Sequence, residues 1–312
     1  MRTIILDTDI GDDIDDALAL ALIVNSPELE LAGVTTVFLN AVRRGKLAAR
    51  LLGTYGRRDV TVHAGLDVPL VQDAAPLLQE ISGRAGSRLD ARGEYVPCQF
   101  LDDMESEREP GRDAVAFIVD AARASPGRIE LVCIGALTNA AIALRMEPRL
   151  PRLLSGITLM GGMFGEQLPE WNIRCDPEAA RIVFTSGARL RCVGLDVTLR
   201  CRLEHVEVER LRRAGSDAAG LLGTLVDRWL ANYHVEQPIL HDPLAVSTLL
   251  DDDVVKFERR LVTVGLEGPA RGVTLSRRPA KGGPVSGWRE AEIAVDVQRE
   301  RFTGIFLDRV AR

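Results

Sequence analysis

Short apolar runs alternate with helical patterns along most of this chain, and that alternation restricts the fold more than any other feature of the sequence. Alternation of this kind is typical of βαβ units, in which helices connect parallel strands. The pattern predicts strands over Thr3–Leu6, Leu31–Val37, Ile129–Ile134, Ile157–Met160 and Leu190–Val193, and helices over Ala17–Val24 and Arg43–Leu52. We therefore expect an α/β fold with a doubly wound, mostly parallel sheet flanked by helices.

Two segments depart from the alternation. Residues 72–112 are rich in Gly, Pro, Arg and acidic residues and show little periodicity, which is typical of a lid or a binding loop. Near the carboxyl end, Val254–Gly265, Arg271–Ser276 and Ala291–Val297 are predicted to be strands joined by a loop rich in Gly and Pro. Since no repeat, low-complexity tract or linker divides the sequence, residues 1–312 are expected to form a single domain.

The composition argues against several classes of partner. A formal net charge of −6, with the basic residues scattered, argues against a nucleic-acid-binding surface. No apolar stretch reaches the ~18 residues that a membrane span needs, and the first residues enter a strand without the pattern of a secretory signal. The five cysteines form no CxxC pair, which is typical of free thiols in a reducing compartment. We expect a cytoplasmic protein that binds neither nucleic acid nor membrane.

The stretch LDTDIGDDIDDALAL, where the first predicted strand meets the first predicted helix, is the strongest functional signal. It places six aspartates within ten residues, namely Asp7, Asp9, Asp12, Asp13, Asp15 and Asp16. Capping of the helix N-terminus would explain one or two of them, since an acidic side chain there contributes ~0.3–1 kcal/mol. Six carboxylates would repel one another, so we expect a bound cation. Carboxylate oxygens favour calcium or magnesium over zinc.

Two later clusters indicate a site at the same edge of the sheet, because ligands of open α/β sheets bind beyond the carboxyl ends of the strands. Glu170 and Asn172 are two residues apart and would point the same way on an extended segment, where they could bracket two sugar hydroxyls. Capping of a turn is the alternative for Asn172. His241 adjoins Asp242 ahead of a proline and an apolar helix, and the pair is typical of a catalytic histidine beside a metal ligand.

These motifs together resemble the inosine-uridine-preferring nucleoside hydrolase family, over essentially the whole chain. The matching segments are DTDIGDDIDDALAL (7–20), GVTTVFLNA (33–41), IGALTN (134–139), MGG (160–162), EWNIRCDPEAA (170–180), GLDVT (194–198), HDPLAV (241–246) and RGVT (271–274). The resemblance implies a calcium-dependent enzyme that splits ribonucleosides into ribose and free base, as in purine and pyrimidine salvage. It also implies a small-molecule nucleoside as the substrate and a homodimer or homotetramer as the assembly.

The resemblance assigns roles to individual residues. The family's calcium ligands are matched by Asp9, Asp16, the backbone carbonyl of Thr138 and Asp242. Its ribose-binding residues are matched by Asp15, Asn40, Glu170 and Asn172. Asp9 also matches the base that deprotonates the attacking water, and His241 matches the acid that protonates the leaving base.

The sequence departs from the family pattern at several positions. Asp12, Asp13 and Ile14 separate Gly11 from the paired aspartates, where the shortest family form has one residue, so Asp13 is a rival metal ligand. Many relatives carry a histidine where this chain offers Ser82, and some have an asparagine where Phe164 stands. Trp229, on the helical stretch before His241, is expected either to stack on the base or to pack in the core.

Two other functions fit part of the pattern. A catalytically silent homologue could bind nucleosides or ribose, but it would not need Asp9, His241 and Asp242 together. A phosphohydrolase of the DxD type could use the aspartates, but it would need a lysine after a suitable strand to bind the phosphoryl group. None of the three lysines, Lys46, Lys256 and Lys281, is so placed. The calcium-dependent ribonucleoside hydrolase is the favoured hypothesis.

Overall fold

The computed structural model describes residues 1–82, 86–166, 168–213, 217–233, 237–279 and 286–311. Its strands are β1 Arg2–Thr8, β2 Leu29–Thr36, β3 Val62–Ala64, β4 Arg88–Leu89, β5 Tyr95–Val96, β6 Ile129–Cys133, β7 Leu154–Met160, β8 Leu190–Val193, β9 Val255–Val264, β10 Thr274–Arg277 and β11 Arg289–Val297. Its helices are α1 Asp15–Val24, α2 Ala41–Thr54, α3 Ala75–Ser82, α4 Ala114–Ala124, α5 Thr138–Met146, α6 Leu150–Leu153, α7 Trp171–Cys175, α8 Pro177–Thr185, α9 Leu195–Thr198, α10 His205–Arg212, α11 Asp217–Tyr233, α12 His241–Ser247 and α13 Arg299–Val310.

Within these ranges nine strands form one sheet, in the order β10-β9-β11-β8-β7-β6-β1-β2-β3. The strands from β8 to β3 are parallel, and β11 also runs parallel to β8. Only the far edge is antiparallel, where β9 pairs with β11 and β10 pairs with β9. The chain winds outward from β1 through β2 and β3 and then returns to β6 on the other side of β1. The predicted doubly wound, mostly parallel sheet is confirmed, and its switch point lies between β1 and β6.

The core lies on both faces of this sheet, as parallel strands require. On β1, Ile4 and Leu6 belong to one core cluster, together with residues of α1, α2, α12 and α13, whereas Ile5 belongs to a second cluster, together with residues of α4, α5 and α8. All three side chains are fully buried, and burial of each stabilises the fold by about 1.5–3 kcal/mol. No helix in the described part of the chain is long and apolar enough to cross a membrane.

Two predicted segments differ in detail. Residues 72–112 contain α3 and an antiparallel pair of short strands, β4 and β5. The predicted strand Arg271–Ser276 begins only at Thr274, because Gly272, with φ 76°, turns the chain before it. In that turn the N–H of Gly272 donates to the carbonyl of Gly265 at 2.9 Å.

Candidate active site

A cavity opens at the carboxyl ends of β1, β6 and β7, beside the switch point of the sheet. Its acidic lining comes from Asp9, Asp12, Asp13, Asp15, Asp16, Glu170 and Asp242. Its other lining residues are Ile81, Ile134, Met160, Trp171, Asn172, Leu195, Tyr233 and His241. The lining therefore combines carboxylates with apolar and aromatic side chains.

Three buried carboxylates meet in the acidic lining. Asp15 and Asp16 come from the first turn of α1, and Asp242 comes from the first turn of α12. Each offers one oxygen, and the three oxygens lie within 4.8 Å of one another. Burial, followed by repulsion from neighbouring carboxylates, raises the pKa of all three well above the ordinary value. A divalent cation would remove this penalty, and three carboxylate oxygens suit a hard ion such as calcium.

Asp9 follows β1 and is half-buried at the edge of the same cavity. Burial raises the pKa of Asp9 to about 7, although the nearby guanidinium of Arg44 opposes the shift. A carboxyl group with a pKa near the working pH is suited to accept a proton. The residue at position 135 must be glycine here, since a Cβ added to Gly135 would lie 2.7 Å from Oδ1 of Asp9.

Glu170 and Asn172 reach the cavity from α7, so the predicted extended segment is wrong. Glu170 is the N-cap of α7, and its carboxylate accepts hydrogen bonds from the N–H groups of Gly162, Asn172 and Ile173 at 3.0, 2.9 and 3.1 Å. The amide of Asn172 donates to the carbonyls of Ile134 (2.9 Å) and Met160 (3.2 Å), at the ends of β6 and β7. Both side chains are therefore fixed by the backbone around the cavity.

His241 opens α12 and lies next to the carboxylate cluster. Its Nδ1 lies 2.7 Å from the hydroxyl of Thr198, at the end of α9. Burial, with a smaller contribution from the positive charge of Arg202, lowers the pKa of His241 to about 4. The ring is therefore neutral at pH 7, with its orientation fixed by Thr198.

Three other candidate residues, Thr138, Asn40 and Trp229, are not among the described residues that line the cavity. Thr138 begins α5, and its hydroxyl donates to the carboxylate of Asp176 at 2.8 Å. Asn40 has φ 63°, and its side chain caps α2 and donates to the carbonyl of Tyr95 at 2.7 Å. Asn40 lines a different cavity, together with Tyr95.

Trp229 packs in the core, where it is 5% exposed. Its Nε1 has no hydrogen-bond partner among the described residues. Its ring stacks on that of Tyr233, with the centroids 5.3 Å apart. The structure therefore brings Tyr233, and not Trp229, to the cavity from α11. Tyr233 follows Trp229 by four residues, so the two side chains lie on one face of α11. This spacing is the feature of the sequence that indicates Tyr233 as a second candidate.

The comparison with known proteins agrees with this geometry. The family model described as inosine-uridine preferring nucleoside hydrolase matches residues 4–304. The chain belongs to the inosine-uridine preferring nucleoside hydrolase family. This nucleoside hydrolase is 32% identical to the inosine-uridine preferring nucleoside hydrolase of Crithidia fasciculata, over 100% of this chain and 98% of that protein.

Two further relatives show the range of the family. The pyrimidine-specific ribonucleoside hydrolase RihA of an Enterobacter strain is 33% identical, over 99% of this chain and 97% of its own. The solved structure of a purine-preferring ribonucleoside hydrolase from Gardnerella vaginalis superposes with a TM-score of 0.82 and is 30% identical, over 99% of this chain and 98% of that one. The expected enzyme class, a ribonucleoside hydrolase, is confirmed, and it displaces the phosphohydrolase alternative.

Proposed function

We propose that this nucleoside hydrolase uses one calcium ion to hydrolyse the N-glycosidic bond of ribonucleosides, which releases ribose and free base. The observation that carries the proposal is the meeting of Asp15, Asp16 and Asp242 in one cavity with Asp9 at its edge. A silent binding protein would have no use for a proton acceptor and a histidine beside that cluster.

The chemistry sets three tasks for the site. Cleavage of a ribosyl bond passes through an oxocarbenium-like sugar and a departing, electron-rich base. The enzyme must therefore activate a water, hold the sugar and stabilise the leaving base. The surrounding carboxylates favour the positive charge that grows on the sugar. The apolar and aromatic lining residues suit the planar base.

We assign the calcium ligands to Asp9, Asp16 and Asp242, with Asp15 beside them in the carboxylate cluster. The fourth ligand is the backbone carbonyl of Thr138, which matches the family pattern and is separate from the hydroxyl that Thr138 directs to Asp176. When bound, calcium would orient the sugar hydroxyls and a water molecule. Asp9 accepts the proton of that water, because calcium acidifies water less than zinc does and a carboxylate base is needed. The raised pKa of Asp9 supports this role.

We assign sugar binding to Asp15, Glu170 and Asn172, which line the cavity. His241 acts on the leaving base. Asn40 and Trp229 are left out of the assignment, because one caps α2 and the other packs in the core. The test of the whole proposal is a panel of purine and pyrimidine nucleosides with an assay for reducing sugar. Binding without sugar release would instead favour the silent homologue.

The base preference is open within this family, since the relatives are described as inosine-uridine preferring, pyrimidine-specific and purine-preferring. The apolar and aromatic lining residues Ile81, Trp171, Leu195 and Tyr233 offer surface for a planar base, which purines and pyrimidines share. We therefore propose ribonucleosides as the substrate class, in a cytoplasmic homodimer or homotetramer. Sedimentation of the purified protein measures the assembly.

We expect one tightly held calcium ion per subunit, because the three buried carboxylates need a counter-cation. Elemental analysis of protein purified without chelator measures it. Asp242→Asn should lose most of the calcium, whereas Asp59→Asn, at an exposed ion pair with Arg57, should retain it. Zinc, or no metal, in the wild-type protein would contradict the site.

Removal of the ion should also change how stability depends on pH. Burial raises the pKa of Asp7 to about 6 and that of Asp9 to about 7. A carboxyl group whose pKa is raised in the folded state stabilises the fold while protonated, and this stability is lost as pH rises through the folded pKa. Calcium-free protein should therefore lose at least ~3 °C in Tm between pH 4 and pH 7. Calorimetry with chelator tests this; with excess calcium the fall in Tm should be smaller, because the cation holds Asp9 ionised while Asp7, which is not a calcium ligand, still titrates.

A further inference from the structure

The buried guanidinium group of Arg44 binds the loop that carries the aspartates. We call residues 9–14 the aspartate loop. The side chain of Arg44, on α2, is fully buried, and its guanidinium donates to the carbonyls of Asp9 and Ile10, the latter at 3.1 Å. It also forms a salt bridge to the carboxylate of Asp12 at 2.7 Å. Burial of a charge is costly unless it is paired and hydrogen-bonded, and here both conditions are met.

The same guanidinium holds a strained turn on its other side. Its Nε donates to the carbonyls of Phe38 (2.6 Å) and Leu39 (3.2 Å). Phe38, Leu39 and Asn40 have φ values of 68°, 39° and 63°, which are costly for residues other than glycine. Such backbone persists only where its surroundings enforce it. Arg44 therefore ties the turn after β2 to the loop after β1.

Gln99 holds the other half of the aspartate loop. Its N–H donates to the carbonyl of Gly11 at 2.8 Å, and its side-chain amide donates to the carbonyls of Asp12 (3.2 Å) and Asp13 (2.5 Å). Gly11 has φ 131°, and a Cβ there would lie 2.7 Å from the ring of Pro97. The fit between the two segments is therefore close.

Arg44 and Gln99 together bind all five backbone carbonyls from Asp9 to Asp13. Because these carbonyls accept hydrogen bonds from donors outside the loop, the backbone of the loop is held along most of its length. Neither Arg44 nor Gln99 is among the described residues that line the cavity. Both act on the reaction through the loop and not by contact with substrate.

We propose that Arg44 and Gln99 are positioning residues, which hold the aspartate loop so that the carboxylate of Asp9 stays at its place beside the cavity. This inference rests on the proposed function. Of the three sugar-binding side chains, Glu170 and Asn172 are fixed separately by α7 and the ends of β6 and β7. The third, Asp15, lies on α1, and its carboxylate accepts a hydrogen bond from the N–H of Asp242 at 3.2 Å. Loosening of the loop should therefore disturb activation of the water and leave sugar binding intact.

The test compares Arg44→Lys and Gln99→Met with wild type, at saturating calcium and on the nucleoside that the panel shows to be the best substrate. Lysine keeps the charge but loses the fork of donors, and methionine keeps the volume of glutamine but loses its amide. A misplacement of about 1 Å can lower a rate ~10²-fold. We expect kcat to fall ~10- to 10²-fold in both variants while KM changes less than ~3-fold.

Two controls separate positioning from loss of stability. Arg181→Lys changes an arginine that donates to a backbone carbonyl, that of Val264, outside the aspartate loop. Ile118→Ala removes a fully buried side chain on the opposite face of the sheet. Both should retain wild-type kcat. The proposal is overturned by wild-type kcat in Arg44→Lys and Gln99→Met, by a rise in KM alone, or by equal losses of kcat in the controls.

Hydrogen exchange of the aspartate loop separates this inference from the proposed function. If wild type releases no sugar from any nucleoside, the proposed function fails, but the backbone amides of residues 9–14 still report on the loop. Exchange in that segment should be at least ~10-fold faster in Gln99→Met than in wild type, with no change in Arg181→Lys. Unchanged exchange would overturn the inference whether or not the protein is active.

Discussion

Asp9→Asn is expected to lower kcat by at least ~10²-fold, the low end for loss of a general base. Asparagine has the shape of aspartate but accepts no proton at neutral pH. The hydrogen bond that Arg44 makes here is to the main-chain carbonyl of residue 9, so the variant keeps that contact and should fold. Steady-state kinetics at saturating nucleoside measure kcat, and Tm confirms the fold. Asp59→Asn, on the exposed surface, is the matched control.

The dependence of kcat/KM on pH provides a second test of Asp9→Asn. Asp9 must be ionised to accept a proton, so wild-type kcat/KM should rise as pH increases through the pKa of Asp9. Burial raises that pKa to about 7, and a bound cation would lower it, so the rise should be centred at or below pH 7. Asp9→Asn should lack the rise. Near-normal turnover in the folded variant would instead assign the proton to Asp13, which lines the same cavity.

The sheet and the place of the site could be predicted because their signals are local. Apolar runs such as Leu190–Val193 mark buried strands, and this one coincides with β8. The six clustered aspartates mark the junction between β1 and α1, where a parallel sheet presents its ligand crevice. A repulsive cluster of charge is visible in sequence without knowledge of tertiary contacts.

Arg44 and Gln99 could not be found in this way. Arginine is common in this chain, and a buried arginine has the same sequence signature as an exposed one. The partners of Gln99 lie more than eighty residues away, at Asp12 and Asp13. The segment 72–112 shows little periodicity because part of it holds the aspartate loop through side-chain and irregular backbone hydrogen bonds instead of a regular ladder.

The choice between Trp229 and Tyr233 also depended on tertiary structure. Both lie on one face of α11, four residues apart, and the rotation of that helix decides which of them reaches the cavity. Arg228 donates to the carbonyl of Cys98 and fixes that rotation against the segment that holds the aspartate loop. Trp229 consequently packs behind Tyr233.

The second large effect is expected at His241. His241→Ala should lower kcat ~10²-fold or more on inosine, whose base is a poor leaving group, because general acid catalysis contributes ~10²–10⁴-fold. It should change the rate on p-nitrophenyl riboside only a few-fold, since that leaving group needs no proton. Thr198→Val should reproduce part of the selective loss, because the Thr198 hydroxyl fixes the ring at 2.7 Å.

The protonation state of His241 adds a test by pH. Burial lowers its pKa to about 4, so the ring is neutral near pH 7 and stabilises the leaving base through a hydrogen bond from its N–H, without full transfer of that proton. An imidazolium acid with the ordinary pKa of about 6.5 would lose activity on inosine as pH rises above that value. The neutral donor should show no such fall between pH 6 and pH 8. A fall centred near pH 6.5, absent in His241→Ala, would show that the charged form is the acid.

Tyr233 is the rival for the same task, since it, and not Trp229, lines the cavity from α11. Tyr233→Phe removes the hydroxyl and keeps the ring, and Trp229→Phe keeps an aromatic ring in the core behind it. If His241 is the acid, only His241→Ala shows the large loss that is confined to inosine. If Tyr233→Phe shows that loss and His241→Ala does not, the tyrosine hydroxyl is the donor. Equal losses on both substrates in both variants would assign the two residues to positioning of the sugar. We favour His241, because its neighbour Asp242 belongs to the carboxylate cluster and its own side chain lines the same cavity.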